Sequence, residues 1–341
     1  MAFRHAFPDR GQVLTREPYL SWPIDWYDQV TNNGPLPVVA FLHGGGEFAA
    51  DFLFNTFRIV EWWEGVFPTA APVNIKAFAI ALQGVGTNTP GGDWNGGNLG
   101  QVPRILAVDD VFYFFSELNR LEQILIADYN ANHLPAGNPP ITAVFDRARL
   151  MLVSFSQGGQ LAYRLVTVAA ANGWTITALC VFSSSIGGWF READRVAVPP
   201  LPANVNWTPT VIPSLLHVHG AADPAVRIGT DGVSINVAAQ VTAQVGAGAL
   251  NTYARADICG QNSALAYTTV ANATVGWAAL GAGVPPALPV GPIPTPLDWD
   301  STGGAVADHQ VCFVAVPGMV HIVPGFAPNT TVDFLLTWGG L

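Results

Sequence analysis

The segment Ser154-Phe155-Ser156-Gln157-Gly158-Gly159 constrains this chain more than any other. An apolar run, Arg149-Leu150-Met151-Leu152-Val153, leads into it. A helical pattern, Gln160-Leu161-Ala162-Tyr163-Arg164-Leu165, leads out. The pattern reads as strand, sharp turn, helix, with Ser156 at the apex, which is the context of a nucleophile elbow. Such a turn crowds its flanks, so the positions two before and two after the apex must be small. Gly158 meets that demand, and Ser154, standing where glycine is usual, is small enough. Ser/Gly-rich loops are common, so the rest of the chain has to decide between an elbow and a plain βα turn.

Along the chain, short β-rich apolar runs alternate with helical patterns. Strands are predicted at 37–42, 75–82, 150–153, 176–182, 215–218 and 311–316. A helix is predicted from Asp109 to Asn130, with two aspartates at its N-terminus where the helix dipole favours them. Thr331 to Trp338 is a candidate closing helix. This alternation argues for an α/β protein with a mainly parallel sheet covered by helices on both faces. Two regions break the pattern. Residues 83–102 are rich in Gly, Asn and Pro, and 230–308 are rich in Ala, Thr, Gly and Pro. A loop as long as the second should carry function or its own small structure. It reads as an insertion over the carboxyl edge of the sheet, before the last strand, a candidate lid within one domain spanning 1–341.

Composition narrows the partners. The chain has 341 residues, half of them hydrophobic and 11% charged, with a formal net charge of -10. No Lys/Arg cluster exists, which argues against nucleic acid and anionic membranes. Pro or charged residues interrupt every apolar stretch long enough to suggest a membrane span. The low charge and 11 Trp resemble an exported enzyme, so a secreted or periplasmic location is expected, with any signal peptide already removed. Cys180, Cys259 and Cys312 fit no metal or CxxC spacing. Cys180 and Cys312 sit in apolar strand-like runs and read as buried free thiols, with one disulfide involving Cys259 left open.

A serine hydroxyl is a poor nucleophile at neutral pH and needs a base, itself oriented by an acid. Asp223 follows an apolar strand in His217-Val218-His219-Gly220-Ala221-Ala222-Asp223-Pro224, where an orienting acid belongs, although Asp before Pro is also a common turn. His321 follows the last predicted strand in Val316-Pro317-Gly318-Met319-Val320-His321. The order Ser, Asp, His is that of one family of serine hydrolases. An oxyanion hole needs backbone N–H donors aimed at developing charge. Gln157 supplies one candidate, and the loop His43-Gly44-Gly45-Gly46-Glu47 supplies Gly45 first and Gly46 second. No G-K-[ST] follows those glycines, which disfavours a phosphate loop. His217 and His219, two apart on a strand, share one face, and Asp298 and Asp300 lack companion ligands, so neither metal nor cofactor is expected.

Taken in order, the His43-Gly44-Gly45-Gly46 loop, Trp94-Asn95, Asp109-Asp110-Val111, Asp146-Arg147-Ala148-Arg149, Ser156-Gln157-Gly158-Gly159, His219-Gly220-Ala221-Ala222-Asp223 and Gly318-Met319-Val320-His321 resemble the polyhydroxybutyrate depolymerase and feruloyl esterase-like branch of the α/β-hydrolases. The resemblance covers roughly residues 35 to 330. It implies an α/β-hydrolase fold, with Ser156 as nucleophile, Asp223 as acid and His321 as base. Within that branch the chain is also similar to oxidised polyvinyl alcohol hydrolases, which implies β-diketone cleavage by the same triad. Ser154 and the 230–308 stretch depart from typical depolymerases. Phe155 to Gly159 also resembles the much shorter acyl-protein thioesterases. Trp94, Trp189 and Trp277 lie in irregular segments and are candidates for a substrate wall. An apolar, weakly charged cleft suits a neutral polymer, its oligomers or a small ester, and disfavours a phosphorylated metabolite. A binding module that has lost catalysis is the remaining alternative, and the intact Ser/Asp/His order argues against it.

Overall fold

The computed structural model describes residues 5–9, 12–64, 75–86, 91–95, 108–184, 211, 213–220, 223, 225, 299–300, 310–316, 319–325 and 327–341. Strands β1 (His5–Asp9) and β2 (Gln12–Arg16) pair as an antiparallel ribbon. The main sheet has eight strands in the order β3-β5-β4-β6-β7-β8-β10-β9. These are β3 (Tyr19–Ser21), β4 (Leu36–Leu42), β5 (Phe78–Leu82), β6 (Phe145–Phe155), β7 (Ile176–Phe182), β8 (Ser214–Gly220), β9 (Trp299–Asp300) and β10 (Gln310–Val316). From β5 to β10 the neighbours run parallel, and β3 and β9 close the two edges antiparallel. The strand order reverses between β4 and β5, then climbs through β6, β7 and β8. This is the α/β-hydrolase fold.

The central strands β4, β5 and β7 are buried on both faces because they are apolar on both. In β4 every residue is buried. Val38, Ala40 and Leu42 face one core, with Leu150, Leu152, Leu179 and Val181. Val39 and Phe41 face the other, with Met151, Val153, Cys180 and Phe182. Helices α1 (Trp26–Asn33), α3 (Asp110–Asn132) and α4 (Gln157–Val168) cover the first face. Helices α2 (Ile59–Glu64) and α5 (Ala327–Phe334) cover the second. Each fully buried Leu, Val or Phe contributes about 1.5–3 kcal/mol.

Helix α3 starts where its sequence demands. Asp109 accepts the N–H of Phe112 at 3.1 Å as a side-chain cap. Further along, buried Glu122 accepts the N–H groups of Val144 and Phe145 and the guanidinium of Arg147. Those bonds fix the entry of β6, which is longer than 150–153. The polar Asp146 to Arg149 segment hides that length, and Asp146 takes an ion pair from Arg149. The final helix begins at Ala327, earlier than Thr331, and a single wide turn (Leu335–Gly339) follows it. Cys180 is a buried free thiol. Trp189, Trp277, Cys259 and most of 230–308 lie outside the described residues.

Candidate active site

The site lies at the carboxyl ends of β4, β6, β7, β8 and β10. At the end of β6 the chain turns at Ser156, with φ 49° and ψ -118°. A serine held at positive φ is strained by about 1–3 kcal/mol. Three contacts hold it there. Its N–H donates to the Phe182 carbonyl at 3.0 Å. Its carbonyl accepts the Ser184 hydroxyl at 2.5 Å. The glycines after it admit no substitute: a Cβ on Gly158 would lie 2.2 Å from the Leu42 carbonyl oxygen, and one on Gly159 would lie 2.5 Å from the Ser184 hydroxyl. Ser154 is fully buried in register with Leu42 and Val181, and its hydroxyl donates to the Cys180 carbonyl at 3.1 Å. A serine therefore serves where glycine is usual, because its one polar atom has a partner.

Ser156 does not cap α4 with its side chain, so its hydroxyl is available elsewhere. Ser156 Oγ lies 2.8 Å from His321 Nε2, and His321 Nδ1 lies 2.7 Å from Asp223 Oδ2. With Asp223 as acceptor, Nδ1 carries the proton and Nε2 is left as the acceptor for the serine hydroxyl. The Asp223 carboxylate is fully buried, and its other oxygen accepts the N–H of Ala225 at 2.8 Å. The His321 ring is partly exposed and lies 5.0 Å from the Phe155 ring. The three residues chosen by their order in the sequence are thus brought into one hydrogen-bonded line.

Two residues that belong to no motif, Ser183 and Ser184, hold this line in place. Ser183 also has positive φ, at 44°. Its N–H donates to the Val218 carbonyl at 2.8 Å and its hydroxyl to the Ile322 carbonyl at 3.1 Å. Ser184 holds the Ser156 carbonyl. Adjacent serines at the tip of β7 therefore tie the histidine loop and the elbow to one point. Their only sequence signal is Ser183-Ser184-Ser185 after an apolar strand.

The glycine loop after β4 is tightly wired. Gly44 N–H donates to Glu47 Oε2 at 2.7 Å, and Gly44 leaves no room beside the Phe155 ring. Burial raises the Glu47 carboxyl above its ordinary value, opposed by the Gly44 bond and by the charge of His321. Gly46 N–H donates to the Gly92 carbonyl at 2.9 Å. That bond corrects the place of Gly46 among the oxyanion candidates, since its donor is occupied. Gly45 is exposed, and its N–H has no acceptor among the described residues. Gln157 opens α4, so its N–H has no acceptor within the helix.

His43 supports the loop from beneath. Its Nε2 accepts the Gly84 N–H at 2.9 Å, so its Nδ1 bears the proton and donates to the Gly44 carbonyl at 2.6 Å. Burial lowers its pKa from 6.5 to about 4, keeping the ring neutral. Trp94 requires a correction. Its indole is fully buried rather than facing substrate, with Nε1–H donating to the His43 carbonyl at 2.9 Å and its ring against the imidazole. Asp110 explains the neighbouring motif: it accepts the Asn95 N–H at 2.5 Å and the Arg16 guanidinium at 2.6 Å. His217 is also buried, against the Tyr163 hydroxyl at 2.7 Å. Among the described residues no group of His, Cys, Asp or Glu has the arrangement of a metal site, and no helix is long and apolar enough to cross a membrane.

No protein-family model matches the chain, and no curated protein does. Solved structures resemble it distantly. One described as a "probable hydrolytic enzyme" from Pseudomonas aeruginosa aligns over 59% of this chain at 16% identity, with a TM-score of 0.32. The chain spans 46% of that protein's length. Siderophore hydrolase EstA from Aspergillus nidulans aligns over 99% of this chain and 93% of its own at 14% identity and a TM-score of 0.43. An S-formylglutathione hydrolase from Agrobacterium tumefaciens aligns over 67% and 78%, at 14% identity and a TM-score of 0.37. Likeness this distant says nothing about substrate. The fold assignment stands on the strand order and the elbow.

Proposed function

We propose that this chain is a serine hydrolase with Ser156 as nucleophile, His321 as general base and acid, and Asp223 as the orienting carboxylate. One observation carries the reading: a serine held at positive φ with its hydroxyl 2.8 Å from an imidazole that a buried carboxylate orients. Strain kept at such a position argues for function.

The chemistry follows from the atoms. His321 Nε2 takes the hydroxyl proton as Ser156 Oγ attacks a carbonyl carbon. Asp223 stays ionised and stabilises the imidazolium. The developing oxyanion is received by the N–H groups of Gln157 and Gly45, at the positive end of α4. His321 then gives its proton to the leaving group. Water, activated by the same imidazole, releases the acyl group and restores Ser156.

The substrate is proposed to be a neutral polymer or its oligomers. An ester would lose an alcohol. A β-diketone would lose a stabilised enolate, which His321 protonates at carbon or oxygen. The low share of charged residues and the exposed apolar side chains Phe48, Val320 and Ile322, each next to a residue of the glycine or histidine loop, support an uncharged substrate. A secreted or periplasmic location is part of the same proposal. The test is a pair of hydrolysis rates, on a p-nitrophenyl short-chain ester and on a linear β-diketone, for wild type and Ser156→Ala. The reading predicts turnover that falls at least about a thousandfold in the variant. A diketone rate comparable with the ester rate identifies a diketone hydrolase, and cleavage of the ester alone identifies an esterase. A variant with wild-type rates refutes the nucleophile.

A further inference from the structure

The mechanism above uses only the backbone of Gln157. Its side chain lies at the seam between the two walls of the oxyanion hole. Gln157 Oε1 accepts the backbone N–H of Trp94 at 3.1 Å, which fixes the way the carboxamide faces. The same group lies against Gly45. A Cβ on Gly45 would sit 2.7 Å from Gln157 Cδ, 2.8 Å from Nε2 and 3.0 Å from Oε1. One side chain therefore touches the first turn of α4, the segment at 91–95 and the glycine loop. The 91–95 segment is itself bound to that loop, with Gly92 N–H donating to the Glu47 carbonyl at 2.9 Å. Trp94 N and Gly45 Cα are thereby referenced to the residue that supplies the first amide donor.

We propose that Gln157 is a positioning residue whose carboxamide sets the spacing between its own N–H and that of Gly45. The inference rests on the hydrolase reading. An oxyanion hole works only when both donors lie about 2.7–3.1 Å from the oxygen that becomes charged. A spacer between the two donors acts on the transition state, while the body of the substrate is held elsewhere. Loss of the spacer is therefore read in kcat and not in KM.

The test uses Gln157→Ala, Gly45→Ala and the double variant. The readouts are kcat and KM on a p-nitrophenyl ester, inhibition by a trifluoromethyl ketone that forms a tetrahedral adduct, and active-site titration with a fluorophosphonate. Gln157→Ala is expected to lower kcat about tenfold to a hundredfold with KM within about twofold, below the full loss of one oxyanion donor. Ketone affinity should fall in parallel, while titration still labels one serine per chain. Gly45→Ala drives a methyl into the carboxamide and is expected to lose more, and the double variant should regain activity relative to it. The proposal is overturned if Gln157→Ala keeps wild-type kcat, if its loss lies in KM alone, or if the double variant is no faster than Gly45→Ala. A wild type that neither labels nor turns over the ester overturns the hydrolase reading, and this inference with it. Wild-type turnover with an unaffected Gln157→Ala overturns this inference alone.

Discussion

The elbow and the histidine loop meet at one hydrogen bond, yet they are held by different physics. Beside the two hydrogen bonds at Ser156, the elbow is fixed by steric exclusion at the glycines that follow. Backbone oxygens of Leu42 and His43 stand where a Cβ on Gly158 would go, and the Ser184 side chain stands beside Gly159. The loop from Met319 to Gly325 is fixed by polar contacts: the Ser183 hydroxyl on the Ile322 carbonyl, and Asp223 on the His321 ring. Exclusion restricts residue type, while hydrogen bonds restrict only geometry. The elbow should therefore fail in folding when it is altered, and the histidine loop should fail in rate.

Gly158→Ala is the most severe way to test that contrast. The methyl meets backbone on β4, which cannot swing aside, so a loss of about 3 kcal/mol or more is expected in chemical denaturation. Wild-type stability would remove the steric half of the contrast. The glycine loop gives a pH-dependent version. His43 titrates near 4 in the folded protein against 6.5 ordinarily, so the unfolded chain binds more protons between those values. Stability should therefore fall as pH drops from about 6.5 to 4, by up to about 3 kcal/mol from this group, and level off below. His43→Asn should flatten that part of the profile in denaturant midpoints measured against pH.

Ser183→Ala probes the polar side. It removes the hydroxyl that donates to the Ile322 carbonyl and leaves the folded core alone, so kcat should fall about tenfold, with a loss of stability of about 1 kcal/mol. A large loss of stability with unchanged kcat would reverse the assignment. Ser154→Gly is the mildest change. It restores the usual small residue and removes the bond to the Cys180 carbonyl, so about 1 kcal/mol of stability and less than about a twofold change in rate are expected.

The same contrast explains what the sequence could reveal. The elbow was legible because sterics force small residues at fixed offsets from Ser156. Strand β7 was legible to the residue because its apolar run is uninterrupted from Ile176 to Phe182. Asp109 and Asp110 announced the start of α3. The N-terminal strands β1 to β3 and helix α1 were not read, since the strands are short and carry polar residues within them. Trp94 was misread because irregular sequence around an indole does not reveal whether the ring is covered; here its N–H and its ring both serve His43. Ser183 and Ser184 act through single hydroxyls on distant carbonyls, and such pairs leave no periodic trace in the chain. Gly46 and Gly45 are identical in type, and the bond from Gly46 to Gly92, which engages one donor and not the other, leaves no trace in the sequence.

The central claim is that Ser156 is activated by His321 and Asp223. The most direct measurement is the rate of covalent labelling by a fluorophosphonate, with the modified residue located by mass spectrometry, in wild type, His321→Ala and Asp223→Asn. The account predicts a single adduct on Ser156 in wild type, formed at least about a hundredfold more slowly in both variants. An adduct on another serine, or a Ser156 adduct formed equally fast without His321, would contradict it.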